Sequence, residues 1–301
     1  MTEIVKKIGE IKKGDGYENI GPTAWGVAYD RAQSDIKYAK EIFDEIDAIV
    51  KPNSSLEIEY LEHKKRAKNS PQFEARYKLI DRLIAQNKTD QILEIASGLA
   101  PRGLAMTEEN PSLCYVELDL PLMSEHKRQI INNLIATSKV KQQKNLHIED
   151  GDALDENSLI KATRYFKIKP IAVVNEGLLR YLNFTQKAIV AKNVRTLLKK
   201  FGGVWITSDI TLKSILDSEG QRKENKELVQ ALSGINVEEN TFESEHAAII
   251  FFENLGFTVE KHSFLEELDE LVSPKTIGIS LNETKELLKI PVVFVMRLKG
   301  V

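Results

Sequence analysis

Apolar and polar positions change their rhythm near residue 90 of the chain. Before it, apolar residues recur three or four apart (Trp25, Ala28, Ala32, Ile36, Ala39, Ile42, Phe43, Ile46, Ile49), the period of one helical face. Gly21-Pro22-Thr23 punctuates the start of this series and Pro52-Asn53-Ser54-Ser55 its end. The highly charged stretch 57–68 reads as a solvated helix face or an exposed loop. Ser70-Pro71 opens a further helix, with Phe73, Tyr77, Ile80, Leu83 and Ile84 on one stripe. Beyond it, short apolar runs alternate with longer helical segments. Strands are expected at 92–96, 113–119, 146–148, 171–174, 204–208, 258–262 and 292–298. Helices are expected at 101–109, 123–137, 156–166, 185–200 and 242–255, with Gly202 and Gly256 placed where a helix end favours a left-handed residue. Such alternation predicts βαβ units with right-handed crossovers, hence an α/β fold with a mostly parallel, doubly wound sheet. The polar stretch 211–241 breaks the rhythm after the fifth strand. It reads either as a lid or substrate-binding insertion or as a solvated helix and loop.

Composition narrows the class. The 301 residues carry 42 Lys plus Arg against 45 Asp plus Glu, a formal net charge of −3, with 42% hydrophobic residues. That is the composition of a globular chain rather than a disordered one. The mild negative charge argues against binding nucleic acid through phosphate neutralisation. No apolar run approaches the length that spans a bilayer, and the first residues lack a signal-peptide core, so neither a membrane nor a secreted location is expected and the default is cytoplasmic. The single cysteine, Cys114, excludes an internal disulfide and sits in an apolar run that suits an inert thiol. The five histidines show no metal-ligand spacing, and no metal is expected.

The chemistry concentrates at Glu94-Ile95-Ala96-Ser97-Gly98-Leu99-Ala100-Pro101-Arg102-Gly103. An apolar strand runs into a turn of small residues, and a helix starts near Pro101. Small residues let a ligand approach the backbone, and in a parallel sheet ligands bind outside the carboxyl ends of the strands. As a dinucleotide fingerprint the stretch is flawed. Ala100 stands where a second glycine would admit a pyrophosphate, and Glu94 would repel one. An acid just before the turn suits a cationic ligand. Asp119 ends the next strand about 20 residues beyond Gly98, the distance at which an acid holds ribose hydroxyls.

Together with Glu117-Leu118-Asp119-Leu120-Pro121, Gly151-Asp152-Ala153-Leu154 and Asn175-Glu176-Gly177-Leu178-Leu179-Arg180-Tyr181-Leu182, this turn resembles the leucine carboxyl methyltransferase family. That family includes polyketide O-methyltransferases of the tetracenomycin type. The resemblance implies a Rossmann-like, seven-stranded class I methyltransferase sheet, five parallel strands followed by a hairpin of 258–262 and 292–298 with the last strand antiparallel. It also implies an N-terminal helical cap at 1–88, joined in one compact unit to an S-adenosylmethionine-binding domain at 89–301, and a helical insertion after strand five. Carried over by position, Glu94, Ala96 and Gly98 would line the methionyl part of S-adenosylmethionine and Asp119 would hold its ribose. Asp152 would accept from the adenine amino group, with Ala153 against the ring. Glu176 would lie near the amino-acid end. Arg76 would face the cofactor or the acceptor carboxylate, Arg31 would match more loosely a basic residue near the cofactor carboxylate, and Tyr181 would lie near the acceptor. Gly177 departs from the bulkier residue of some members.

Arg76 also stands out without the resemblance. It shares the inward stripe of its helix, where a guanidinium must find an acceptor or snorkel outward. Tyr181 reads equally as a buried structural tyrosine. Asp209 ends the fifth strand and is a weaker candidate for the crevice. The expected activity is methyl transfer to a carboxylate or phenol-like hydroxyl of a small molecule or peptide, yielding S-adenosylhomocysteine. The rivals are a non-catalytic S-adenosylmethionine-binding protein and a nicotinamide-dependent oxidoreductase. Nothing in the sequence fixes the acceptor or the oligomeric state.

Overall fold

The structure is a computed structural model that describes residues 21–50, 68–214 and 237–300. The described elements run α1 (Gly21–Ala32), α2 (Ala39–Val50), α3 (Ser70–Gln86), β1 (Gln91–Ile95), α4 (Arg102–Glu109), β2 (Cys114–Asp119), α5 (Pro121–Ala136), β3 (Leu146–Asp150), α6 (Glu156–Ala162), β4 (Ile171–Asn175), α7 (Phe184–Phe201), β5 (Gly203–Thr207), α8 (Glu245–Asn254), β6 (Phe257–Ser263), α9 (Ser273–Ile277), α10 (Leu281–Leu288) and β7 (Val292–Leu298). The strands form one sheet in the order β3-β2-β1-β4-β5-β7-β6. The first five are parallel, and β7 lies between β5 and β6, antiparallel to both.

The strands take this form because they are apolar on both faces. Along β1, Ile92 packs with Ala75, Ile80, Leu83 and Leu288 on one side, while Leu93 and Ile95 pack with Leu159, Val190 and Val194 on the other. Side chains alternate across a strand, so a run buried throughout serves two helical layers at once. A third cluster joins Ala28, Ile42, Phe43 and Ile46 of α1 and α2 to Leu99, Leu104, Ile130 and Leu134. The N-terminal helices therefore rest on α4 and α5, above the turn that follows β1.

Two expectations are corrected. The apolar series from Trp25 to Ile49 is two helices, not one. Ser34 Oγ donates to Arg31 O at 2.6 Å and accepts from Ile36 N at 3.2 Å, and Tyr38 has φ +66°. A serine that bonds local backbone in this way offers an alternative to the helical ladder. Strands β6 and β7 pair as expected, but their connection is no simple hairpin loop. It carries a 3-10 segment, Phe264–Glu270, then α9 and α10. Of the 211–241 stretch, a parallel bridge between Leu212 and Phe242 closes the base. The expected helical insertion itself, like the charged stretch 57–67, lies outside the described residues.

Candidate active site

The strand order reverses between β1 and β4, and the crevice outside their carboxyl ends is where ligands bind in sheets of this kind. The turn after β1 is built for close approach. Ala96 and Gly98 both have left-handed backbone, at φ +53° and +52°. For alanine that conformation carries strain, which the surroundings must hold in place. Asp119, at the end of β2, pins the turn two residues further on, at Gly98. Its Oδ2 accepts from Gly98 N at 2.6 Å and its Oδ1 from Leu120 N at 2.8 Å. Each carboxylate oxygen keeps further lone-pair capacity. Burial pushes the Asp119 carboxyl up from its ordinary range, with the Gly98 and Leu120 amides opposing. The cap closes over this turn, since a Cβ built on Gly98 would lie 3.9 Å from Ala24 Cβ.

Next to the turn, four elements bring arginines and acids together. Arg102, in the first turn of α4, is fully buried. It donates to Glu94 at 2.5 Å, Asp81 at 2.5 Å and Glu176 at 3.0 Å. Arg76 meets Glu176 Oε1 through Nε at 2.8 Å and Nη2 at 2.7 Å, and lies over the Phe73 ring. Arg31 Nη2 reaches the same oxygen at 2.5 Å, while its buried Nε has no partner. Burial alone would raise the Glu176 carboxyl; the charges of Arg31, Arg76 and Arg102 outweigh it and hold the group well below the usual carboxylate range. Glu94 is buried beneath the turn, with one oxygen on Arg102 and the other accepting from Tyr115 Oη at 2.8 Å. Its charge is thus committed inside the protein rather than open to the crevice.

The remaining predicted residues fall along the same edge. Asp152 is exposed after β3, its Oδ1 capping Leu154 N at 2.8 Å, and Ala153 beside it is buried with its carbonyl held by Asn193. Gly151 N donates to Asp119 O at 2.9 Å, which ties this loop to the tip of β2. Tyr181 donates to Thr23 Oγ1 at 3.1 Å, joining the loop after β4 to the cap. Gly177 has φ +86° and nothing lies within 4 Å of a Cβ built there, so glycine answers the backbone conformation and leaves open space. Asp209 is a staple. It accepts from the Gly177, Leu178 and Leu179 amides at 2.6–2.9 Å and from Asn175 Nδ2. The structure thus brings Ala96, Gly98, Asp119, Glu176, Arg31, Arg76 and Tyr181 to one crevice, and places Glu94 under it.

Sequence reasoning missed Arg102. Its signal was a cation at a helix N-terminus, where the dipole disfavours one unless acids are at hand. It also missed Lys187, a buried lysine of α7 whose Nζ donates to the carbonyls of Leu182 and Asn240. Burial pushes this amine down to about 8. Cys114 is half-buried and burial raises its thiol. Among the described residues, no group of His, Cys, Asp and Glu is placed to hold a metal ion, and no helix is long and apolar enough to cross a membrane.

The residues at the crevice fit S-adenosylmethionine. The Arg31 Nε is a buried donor without a hydrogen-bond partner beside Glu176, the kind of group an anionic ligand oxygen satisfies. Space is open beside Gly177, and small residues line the turn at Gly98. A parallel sheet closed by an inserted antiparallel strand is the architecture of a class I S-adenosylmethionine-dependent methyltransferase. The leucine carboxyl methyltransferase model matches residues 27–195, more than half of the chain, and the chain belongs to that family. No curated protein sequence matches it. Among solved structures, a DUF574 family protein from Streptomyces avermitilis is similar at 14% identity and TM-score 0.53, covering 92% of this chain and 97% of that one. A protein described as an O-methyltransferase from Nostoc punctiforme is similar at 15% identity and TM-score 0.47, covering 90% and 72%. PigF with SAH is similar at 14% identity and TM-score 0.48, covering 84% of this chain and 62% of that one. At 14% identity the likeness to the Streptomyces avermitilis protein speaks to the fold.

Proposed function

We propose that the protein transfers a methyl group from S-adenosylmethionine to an oxygen, a carboxylate or a phenol-like hydroxyl of a small molecule or peptide. The observation that carries this reading is the Gly98 turn, held in left-handed backbone by Asp119 at the tip of β2. In it, Ala96 and Gly98 give the cofactor's methionyl part backbone to lie on, and Asp119 and Asp152 accept from ribose and adenine, with Ala153 against the ring. Arg31 and Arg76, both held by Glu176, face the amino-acid end. Glu94 acts through Arg102, keeping it in place against Glu176. The described helices α1, α2 and α3 of the N-terminal cap roof the site, and the sheet and loops that follow them supply it.

When bound, the cofactor supplies a methyl group already activated by its sulfonium, so the chain's task is alignment and exclusion of water. An acceptor oxygen held in line by the chain would form its bond to that methyl carbon as the bond to sulfur broke. A carboxylate is ionised near pH 7 and needs no base; a phenol gains from losing its proton. Tyr181, tied to Thr23, shapes the acceptor side. A labelled-methyl assay over peptides with free C-termini, small acids and phenols tests the reading, beside calorimetry with S-adenosylhomocysteine. Turnover on an oxygen acceptor supports it. Tight cofactor binding with no turnover across the panel favours a non-catalytic binding protein, and no binding refutes both.

A further inference from the structure

The edge of the sheet opposite the crevice carries a surface that methyl transfer does not use. There the side chain of Gln91, at the start of β1, clamps a short segment of the chain. Its Nε2 donates to the carbonyls of Lys167 and Lys169 at 3.0 and 3.3 Å, and its Oε1 accepts from Lys167 N at 2.6 Å. Ile168, between the two clamped residues, is 73% exposed, more than any other large apolar side chain of the described residues. The end of α7 lies alongside. Ile171 N donates to Gly202 O at 3.3 Å, the Phe166 and Phe201 rings meet edge to face at 6.1 Å, and Lys200 Nζ lies over the Phe201 ring. Lys199 and Lys200 therefore flank the same edge, and Lys88, just before β1, is exposed there too. Lys169 is paired with Asp90, but among the described residues no carboxylate forms an ion pair with Lys88, Lys167, Lys199 or Lys200. On a chain of net charge −3, five lysines around one bare isoleucine make a local field of the opposite sign.

The chemistry of these six side chains selects the partner. Lysines are compact, strongly hydrated point charges, whereas reading a phosphate or carboxylate at two points takes arginine. Protein interfaces are poor in lysine and centre on Trp, Tyr or Arg, and single-stranded nucleic acid calls for aromatic platforms or arginine. An aliphatic side chain standing out among lysines matches a layer of lipid headgroups: the ammonium groups meet its anionic charge as the isoleucine enters the apolar boundary beneath. We propose that this edge docks the protein peripherally on an anionic lipid bilayer, with Ile168 inserted and Lys88, Lys167, Lys169, Lys199 and Lys200 on the headgroups. Such attachment needs no spanning helix. The crevice, at the other end of the strands, then faces away from the lipid. The proposal stands apart from the methyl-transfer reading.

The test is cosedimentation of the full chain with vesicles of phosphatidylcholine, alone or with about one part in three of phosphatidylserine. The wild type should bind the phosphatidylserine vesicles at least about tenfold more tightly, and about 1 M salt, where the screening length is roughly 3 Å, should release it. Lys199→Gln with Lys200→Gln should weaken binding about 25-fold, roughly fivefold per charge. Ile168→Gln should weaken it about tenfold, while binding to polyglutamate and to duplex DNA, which offer charge without an apolar layer, stays as in the wild type. Melting curves verify that the variants fold. Equal binding to both kinds of vesicle, or binding to neither, overturns the proposal, as does full binding by Ile168→Gln. A preference of the wild type for polyglutamate or DNA over phosphatidylserine vesicles overturns it too, and assigns the edge to an acidic protein or a nucleic acid.

Discussion

Replacing Glu176 by glutamine removes one charge and almost no volume from the centre of the arginine cluster. The side chain is 2% exposed and faces Arg31 at 2.5 Å, Arg76 at 2.7 Å and Arg102 at 3.0 Å. Breaking a buried ion pair from one side costs about 3–5 kcal/mol, because the partner charge stays behind without compensation. Three guanidiniums share the loss here, and Glu94 and Asp81 still hold Arg102, so the same range applies to the whole substitution. For a chain of this size that lowers the melting temperature by on the order of 10 °C. The pH dependence gives a second signature. The folded-state pKa is depressed below the ordinary 4.5, so the stabilisation is present above that value and fades as pH falls through the folded one. Differential scanning calorimetry of wild type and Glu176→Gln at pH 7.5 and at pH 4 reads both. The gap between the two proteins should be wide at pH 7.5 and should start to narrow below about 4.5. A gap under about 1 kcal/mol at pH 7.5 would refute the claim that this carboxylate organises the arginines.

Other perturbations separate roles. Asp119→Asn should weaken S-adenosylhomocysteine binding by about 1–3 kcal/mol in calorimetry, since it disturbs both the Gly98 amide and the lone pairs offered to a ribose; unchanged affinity would make Asp119 a loop staple only. Gly203→Ala should cost at least about 1–3 kcal/mol in denaturant unfolding, because φ is +104° and the new Cβ would run into the Ile171 backbone; a neutral result would contradict the β4–β5 register. Lys187 has a folded pKa of about 8 against 10.5 for a free lysine, so the unfolded chain binds more protons between those values and stability rises with pH across that window. Lys187→Met should lack that rise, and parallel melting curves at pH 8 and pH 10 that stay parallel would show the amine is not buried as described.

Much of the sheet was legible because its strands are apolar runs bounded by turn residues. The strand at 292–298 was placed to the residue, and the others within a residue or two. The Ala96–Gly98 turn and Asp119 were also legible, since ligand approach needs small residues and an acid at a fixed spacing. What escaped reading depends on distance along the chain. Arg31, Arg76 and Arg102 meet Glu176 across 145, 100 and 74 positions, and no local pattern announces such a meeting. For the same reason Arg76 looked available to an acceptor, whereas the partner of Glu94, Arg102, stands only eight residues on. Two misses between β6 and β7 were avoidable. Ser263 with Glu266 and Ser280 with Glu283 form capping boxes, the local signature of a helix start, and both stand openly in the sequence.

The position of β7 has a consequence for how the chain is made. Residues 292–298 are the last of the seven strands to be synthesised, yet they lie inside the sheet, bonded to β5 on one side and β6 on the other. Until they emerge, β5 presents an open edge of unpaired backbone groups, the kind that recruits strands from other molecules. Segment β6, already translated, has no partner in the sheet to join. The site, by contrast, is built from the cap helices and the loops after β1, β2, β3 and β4, all made earlier. A nascent chain can therefore assemble its ligand-binding half while its far edge is still exposed. Bound cofactor would stabilise that half by mass action, well before the last strand closes the sheet.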